Sequence, residues 1–275
     1  MGAIEIDGLR WEARVRGQES AVPLLLVHGF TGRGTSWGGH IAAFARRFRT
    51  IVVDLPGHGR SDTANPTRMT VERAADELAA LLDRFTASPA HVAGYSLGAR
   101  VALRVAVAHP TAVRRLVLES PSAGIEGAAD REARRRADEE LARAIERDGI
   151  EAFVERWERE PVFASRAATL SAAAAARERA IRLANRADGL AASLRGAGQG
   201  AMEPLHDRLG AVTAATLVVA GSLDPVGLSR AERVAAGITR ARLAIIDGAG
   251  HAPHLEQPAR FRRLALDFLQ EETAA

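Results

Sequence analysis

The stretch Ala90-His91-Val92-Ala93-Gly94-Tyr95-Ser96-Leu97-Gly98-Ala99-Arg100 decides how the whole chain is read. Its first four residues form a short apolar run, and an apolar-periodic segment continues from Arg100 to Ala108. Strand, then Gly-X-Ser-X-Gly, then helix is the setting in which this pattern means a sharp turn carrying a nucleophile. Glycine is needed at Gly94 and Gly98 because a side chain at either would crowd the adjoining strand and helix. The turn lifts the Ser96 hydroxyl above the sheet, at the N-terminus of a helix whose dipole favours developing negative charge. Gly-X-Ser-X-Gly alone also arises in loops rich in serine and glycine; the flanking strand and helix select the catalytic reading. Ser96 then needs partners elsewhere in the chain.

Composition bounds what those partners can be. With 275 residues, 47% of them hydrophobic, the chain can bury a substantial core as one domain plus an insertion. No apolar run reaches the roughly 18 residues of a membrane span. Met1 to Arg16 carries six charged residues and no apolar h-region, so it does not read as a secretory signal, and a cytoplasmic enzyme is expected. The absence of cysteine excludes disulfides, thiol catalysis and cysteine-ligated metal. All 37 basic residues are arginine, which lifts the pI to about 10.5 although the net charge is only +3. No arginine-rich block is free of acids, so neither nucleic acid nor a membrane surface is expected as a partner. Oligomeric state is not written in the pattern.

Outward from the elbow the chain alternates strands and helices. Ile4 to Ile6 and Trp11 to Val15 read as half-buried strands, and Val22 to Val27 as a strand buried on both faces. That strand ends in the glycine-rich turn His28-Gly29-Phe30-Thr31-Gly32. A helix is expected from about Trp37 to Phe48, a strand over Thr50 to Asp54, and a turn-rich loop over Leu55 to Asp62. A helix over Val71 to Phe85, the elbow, and a strand at Leu116 to Leu118 follow. From Pro121 to Pro204 the strands vanish. Helices are expected over Ala133 to Asp148, Ile150 to Trp157, Ala167 to Ala187 and Leu190 to Leu194, making an all-helical cap of about 85 residues. The cap holds 14 arginines and 15 acids, so it is nearly neutral and reads as a lid. Strands at Ala215 to Ala220 and Ala241 to Ile246 then alternate with helices near Leu228 to Ala236 and Pro258 to Leu269. The expected division is a core of residues 1–120 and 205–275, an α/β fold with a mostly parallel sheet and helices on both faces, and a cap of residues 121–204.

A serine hydroxyl needs a base, and the base needs an orienting carboxylate. Ser96, Asp224 and His251 each fall just past the end of an expected strand, in the order Ser, Asp, His. Glu119, after an earlier strand, is the rival acid. Phe30 and Leu97 are the candidate oxyanion donors through their backbone N–H groups. His28 reads as shaping its turn, His58 and His254 as structural, and Asp54 and Asp62 as loop scaffolding. No histidine-carboxylate spacing suggests a metal site, and no cofactor is called for.

Fold and triad reach only the α/β-hydrolase superfamily, whose members catalyse many reactions. A narrower likeness is carried by His28-Gly29-Phe30-Thr31-Gly32 with Trp37, Asp54 to Gly59, and Gly94 to Arg100. In the cap it is carried by Arg131 to Asp138, Trp157, Pro161 to Ser165 and Ser193 to Gly196, and beyond the cap by Ala249-Gly250-His251 with Glu256-Gln257-Pro258. On these residues, which span nearly the whole chain, it resembles the 2-succinyl-6-hydroxy-2,4-cyclohexadiene-1-carboxylate synthases, the pyruvate-eliminating lyases of menaquinone biosynthesis. The resemblance implies a small polycarboxylate substrate, bound by Arg100 and by Arg134 and Arg182 of the cap, with Tyr95 and Trp157 lining the site. It implies proton abstraction by Ser96, activated by His251, with no cofactor. One departure is Pro225-Val226-Gly227 after the acid, where the family often has a lysine and an aromatic residue. The alternatives are a hydrolase of the same fold acting on esters, lactones or C–C bonds of diketones, and a non-catalytic ligand-binding member.

Overall fold

The computed structural model describes residues 2–271. Eight strands form one sheet: β1 (Ala3–Ile6), β2 (Leu9–Arg16), β3 (Pro23–Val27), β4 (Arg49–Val53), β5 (Ala90–Tyr95), β6 (Val113–Glu119), β7 (Ala215–Gly221) and β8 (Ala241–Ile246). Their order is β1-β2-β4-β3-β5-β6-β7-β8. β1 and β2 pair antiparallel, as do β2 and β4, and every pairing from β4 across to β8 is parallel. Parallel strands need crossovers, and the helices that provide them cover both faces.

The alternation along β3 shows how the two layers arise. Leu25 and Val27 point into a core shared with α2 (which follows the short α1, Gly39–Phe44, and spans Val71–Phe85) and with α3 (Leu97–Ala108). Leu24 and Leu26 point the other way, onto Trp37, Phe44, Phe261 and Phe268. A continuous apolar run in the sequence is therefore two interleaved faces, each buried.

Between β6 and β7 all described elements are helical: α4 (Ala128–Trp157), α5 (Arg166–Thr169), α6 (Ala172–Leu183) and α7 (Ala187–Ala197), besides short 3₁₀ turns. Ala142, Ile145, Phe153 and Val154 of α4 pack on Leu190, Ala191 and Leu194 of α7 in a separate small core, against which Phe30 also rests. The two helices expected on either side of Asp148-Gly149 are both present within α4: Gly149, at φ +83 and ψ 176, is not helical, a conformation open to glycine, and the chain kinks there. After β7 come α8 (Pro225–Gly237), α9 (Pro253–Glu256) and α10 (Pro258–Gln270).

Two helical expectations need correction. The helix placed over Trp37 to Phe48 is a 3₁₀ turn, Gly34–Trp37, followed by α1. Gly38 separates the two at φ +50. The helix placed over Ala167 to Ala187 breaks at Leu170, which is extended, and restarts where the Ser171 hydroxyl accepts the Ala174 N–H. An N-cap serine after an extended residue outweighs the helix propensity of the surrounding alanines.

Candidate active site

β5 delivers Ser96 in a backbone conformation that non-glycine residues seldom adopt, φ +51 and ψ −106. Its surroundings hold it there. The Ser96 N–H donates to the Glu119 carbonyl at 2.9 Å and the Ser96 carbonyl accepts from the Arg100 N–H at 3.1 Å. A Cβ on Gly94 would overlap the Gly98 carbonyl, and one on Gly98 would overlap the Val27 and His28 carbonyls. Elbow helix and central strands therefore touch backbone to backbone.

His251, in the loop after β8, sits 3.0 Å through Nε2 from Ser96 Oγ and 2.7 Å through Nδ1 from Asp224 Oδ2. Asp224 Oδ1 accepts the Gly227 N–H at 2.8 Å, so the acid also caps α8. Burial pushes the Asp224 carboxyl up, but the hydrogen bonds from His251 and Gly227 outweigh it and hold the group below its ordinary value. An ionised Asp224 requires the proton on His251 Nδ1. Nε2 is then left as the acceptor for the Ser96 hydroxyl. Glu119 serves a different histidine: its Oε1 accepts both the His254 backbone N–H and His254 Nδ1 at 2.8 Å, fully buried.

Phe30 and Leu97 line the same cavity as Ser96, and their backbone N–H groups have no hydrogen-bond partner among the described residues. The loop carrying Phe30 is tied from below and above. His28 Nε2 accepts the Leu55 N–H at 2.9 Å, so its Nδ1 donates to the Gly29 carbonyl at 2.8 Å. From the cap, Asn185 donates to the Thr31 carbonyl at 2.7 Å and accepts the Gly59 N–H at 2.8 Å. His58 packs edge-on against His28 and Phe30. Asp54 accepts the Gly34 and Arg60 N–H groups, and Asp62 pairs with Arg10.

A cavity of about 480 Å³ opens above Ser96, between core and cap. Tyr95, Trp157, Arg100 and Arg134 line it, with the triad at its floor. Arg100 is 7% exposed and donates to the Ala197 carbonyl at 2.7 Å, with no carboxylate paired to it among the described residues. Burial, with nearby Arg134 adding to it, pushes its guanidinium down to about 10, still charged at neutral pH. Arg134 uses Nε on Asp138 at 2.8 Å. Trp157 both lines the cavity and packs on Phe30, Phe153 and Phe163. Arg182 does not line the cavity: it pairs with Glu158 at 3.2 Å and lies against the Phe163 ring, on the far side of that wall. Its long side chain turns back to carboxylates of its own cap. Among the described residues no group of three or more His, Asp or Glu side chains is placed to hold a metal ion.

Two residues whose roles escaped the sequence reading lie here. Arg230 of α8 also lines the cavity; it follows Val226, another lining residue, by one helical turn, which is the signal that places both on one face. Glu256 is the other. Its carboxylate accepts the Gly250 and Ala252 N–H groups, on either side of His251, and the Ser165 and Thr169 hydroxyls of the cap at 2.6 and 3.0 Å. One carboxylate thus fixes the base loop and seats the cap on it. Glu256→Gln puts an amide donor among these donors. It is expected to lower the thermal midpoint by about 5 °C, from roughly 2 kcal/mol of lost charge-assisted hydrogen bonding. The looser base is also expected to cut kcat about tenfold; a melt and a turnover assay on one preparation check both.

An α/β sheet of this order, with a serine elbow and a histidine-acid pair at successive strand ends, defines a class. The alpha/beta hydrolase fold family matches residues 22–258, and the chain belongs to it. More narrowly, the chain belongs to the family of the 2-succinyl-6-hydroxy-2,4-cyclohexadiene-1-carboxylate synthases. The synthase of that name from Citrobacter koseri is 31% identical, over 88% of this chain and 92% of the relative. A Bacillus subtilis (strain 168) protein bearing the name provisionally is 34% identical, over 98% of this chain and 99% of its own length. The solved structure of MenH from S. aureus superposes with a TM-score of 0.89 at 30% identity, covering 94% of this chain and 97% of that one.

Proposed function

We infer that the protein is a lyase. Its substrate would be 2-succinyl-5-enolpyruvyl-6-hydroxy-3-cyclohexene-1-carboxylate, from which it eliminates pyruvate to give 2-succinyl-6-hydroxy-2,4-cyclohexadiene-1-carboxylate, a step of menaquinone biosynthesis. Beside family membership, the observation that carries this reading is a serine-histidine-aspartate relay opening onto a cavity lined by arginines. A pocket for neutral esters has no use for desolvated guanidinium groups, whereas a polycarboxylate pairs with them.

The chemistry follows from the two ring systems. The ring carbon bearing the succinyl carbonyl carries an acidic proton. Ser96 Oγ, its own proton passed to His251 Nε2, takes that ring proton. The electron pair moves into the ring, the double bond shifts along by one position, and the C–O bond to the enolpyruvyl group breaks. The departing enolate takes up a proton and becomes pyruvate. Asp224 holds His251 in the tautomer that receives the serine proton and stabilises the imidazolium while it exists. The Phe30 and Leu97 N–H groups are suited to the enolate oxygen that develops on the succinyl carbonyl. Arg100 and Arg134 are suited to carboxylates of the substrate.

The purified protein given this substrate is expected to release one pyruvate per diene formed, read by a lactate-dehydrogenase-coupled assay. Brisk cleavage of short p-nitrophenyl esters with no pyruvate release would overturn the reading in favour of a hydrolase.

A further inference from the structure

We propose that Arg230 is a third carboxylate anchor of the cavity and sets its preference for a tricarboxylate. The inference rests on the lyase reading and deepens it. The proposed substrate carries three carboxylates: on the ring, at the end of the succinyl chain and on the enolpyruvyl group. Three guanidinium groups line the cavity, each from a different element: Arg100 on α3, Arg134 on α4 and Arg230 on α8. The acids that line it are Asp224, committed to His251 and Gly227, and Glu160 at the cap edge.

Arg230 is the least engaged of the three. Arg100 spends one nitrogen on the Ala197 carbonyl and Arg134 spends one on Asp138. Arg230 is half-buried yet makes no hydrogen bond or ion pair among the described residues. A desolvated, unpaired cation facing two others is costly until an anion arrives. Burial lowers the tendency of Arg230 to hold its proton, and Arg134 adds to the effect. The same geometry answers the departure after the acid. Pro225 and Val226 bring no charge, and Gly227 is used to donate to Asp224. The next turn of α8 returns to the cavity at Arg230.

The experiment compares wild type, Arg230→Met and Arg230→Lys. Arg230→Met is expected to raise KM for pyruvate release 30- to 100-fold while kcat falls no more than about threefold, as for binding that ground state and transition state share. Arg230→Lys is expected to recover at least a third of the lost kcat/KM. A KM within twofold of wild type, or a loss confined to kcat, overturns the proposal. Calorimetric titration with citrate, used as a tricarboxylate probe, separates it from the lyase reading. Even if wild type released no pyruvate, citrate binding at least tenfold weaker in Arg230→Met would uphold the anchor. Equal affinities, or no citrate binding by wild type, would overturn it.

Discussion

Replacing Ser96 by alanine is expected to lower kcat for pyruvate release by roughly 10³-fold, within the range for loss of a positioned acid-base group. KM should stay within about threefold, because the arginines proposed to hold the substrate are untouched. The fold should survive. Alanine suffers at φ +51 much as serine does, and the contacts holding the turn are to backbone, from Glu119 and Arg100. The relay also dictates how variants combine. In the proposed mechanism Ser96 and His251 act as one unit through their 3.0 Å contact, so the Ser96→Ala, His251→Ala double variant should be scarcely worse than either alone. Residual turnover above about a tenth of wild type, or multiplicative losses in the double variant, would remove Ser96 from the chemistry. His251 would then be the direct base.

The triad was legible because each member sits at a place the backbone advertises. Ser96 follows an apolar run and is flanked by glycines, while Asp224 and His251 follow runs that read as strands. Those runs are β5, β7 and β8, adjacent or nearly so at one sheet edge. Local pattern thus implied spatial convergence, since parallel strands end on the same side. Side-chain direction across the cap is not encoded that way. Arg134 and Arg182 looked equivalent as helix-face arginines, yet Arg182 turns to Glu158 while Arg134 reaches the cavity. Arg230 was hidden because the rotation of α8 about its axis is set by packing of Ala231 and Val234 on the core, a tertiary fact. Glu256 was visible as part of a motif, but its four donors come from two distant segments that meet only when the cap is seated. Ser171 shows the local limit: a single capping hydroxyl split what alanine content read as one helix.

Stability is expected to fall steeply as the pH drops below about 6.5, with acid unfolding centred near pH 5. Four histidines are buried in their neutral form. Burial is the leading cause in each: it pushes His28, His40 and His91 down to about 4 and His58 to about 3. Their nitrogens support the neutral state, since His28 Nε2 accepts from Leu55, while His40 Nδ1, His58 Nε2 and His91 Nδ1 have no acceptor to which a second proton could donate. Below the ordinary histidine value the unfolded chain takes up these protons and the folded chain does not. The contribution is therefore complete above about pH 6.5 and lost as pH falls toward 4. Each histidine removes about 1.4 kcal/mol per pH unit in that window, so four remove on the order of 5. A domain ordinarily has about 5–15 kcal/mol to lose. Asp138, pushed up by burial, works the other way, because its folded form protonates first. Asp224 and Glu256, both held low, keep their contribution until the pH falls below ordinary carboxylate values and then add to the loss. Urea unfolding at pH 7.5, 6.5 and 5.5 reads the slope directly. His91, remote from the cavity and packed on Phe48, supplies the control: His91→Leu should flatten the slope by about one proton's worth. A wild-type loss under about 1 kcal/mol between pH 7.5 and 5.5 would mean that these histidines take up protons inside the fold, and the loop that His28 anchors beneath Phe30 would then have to open to let them.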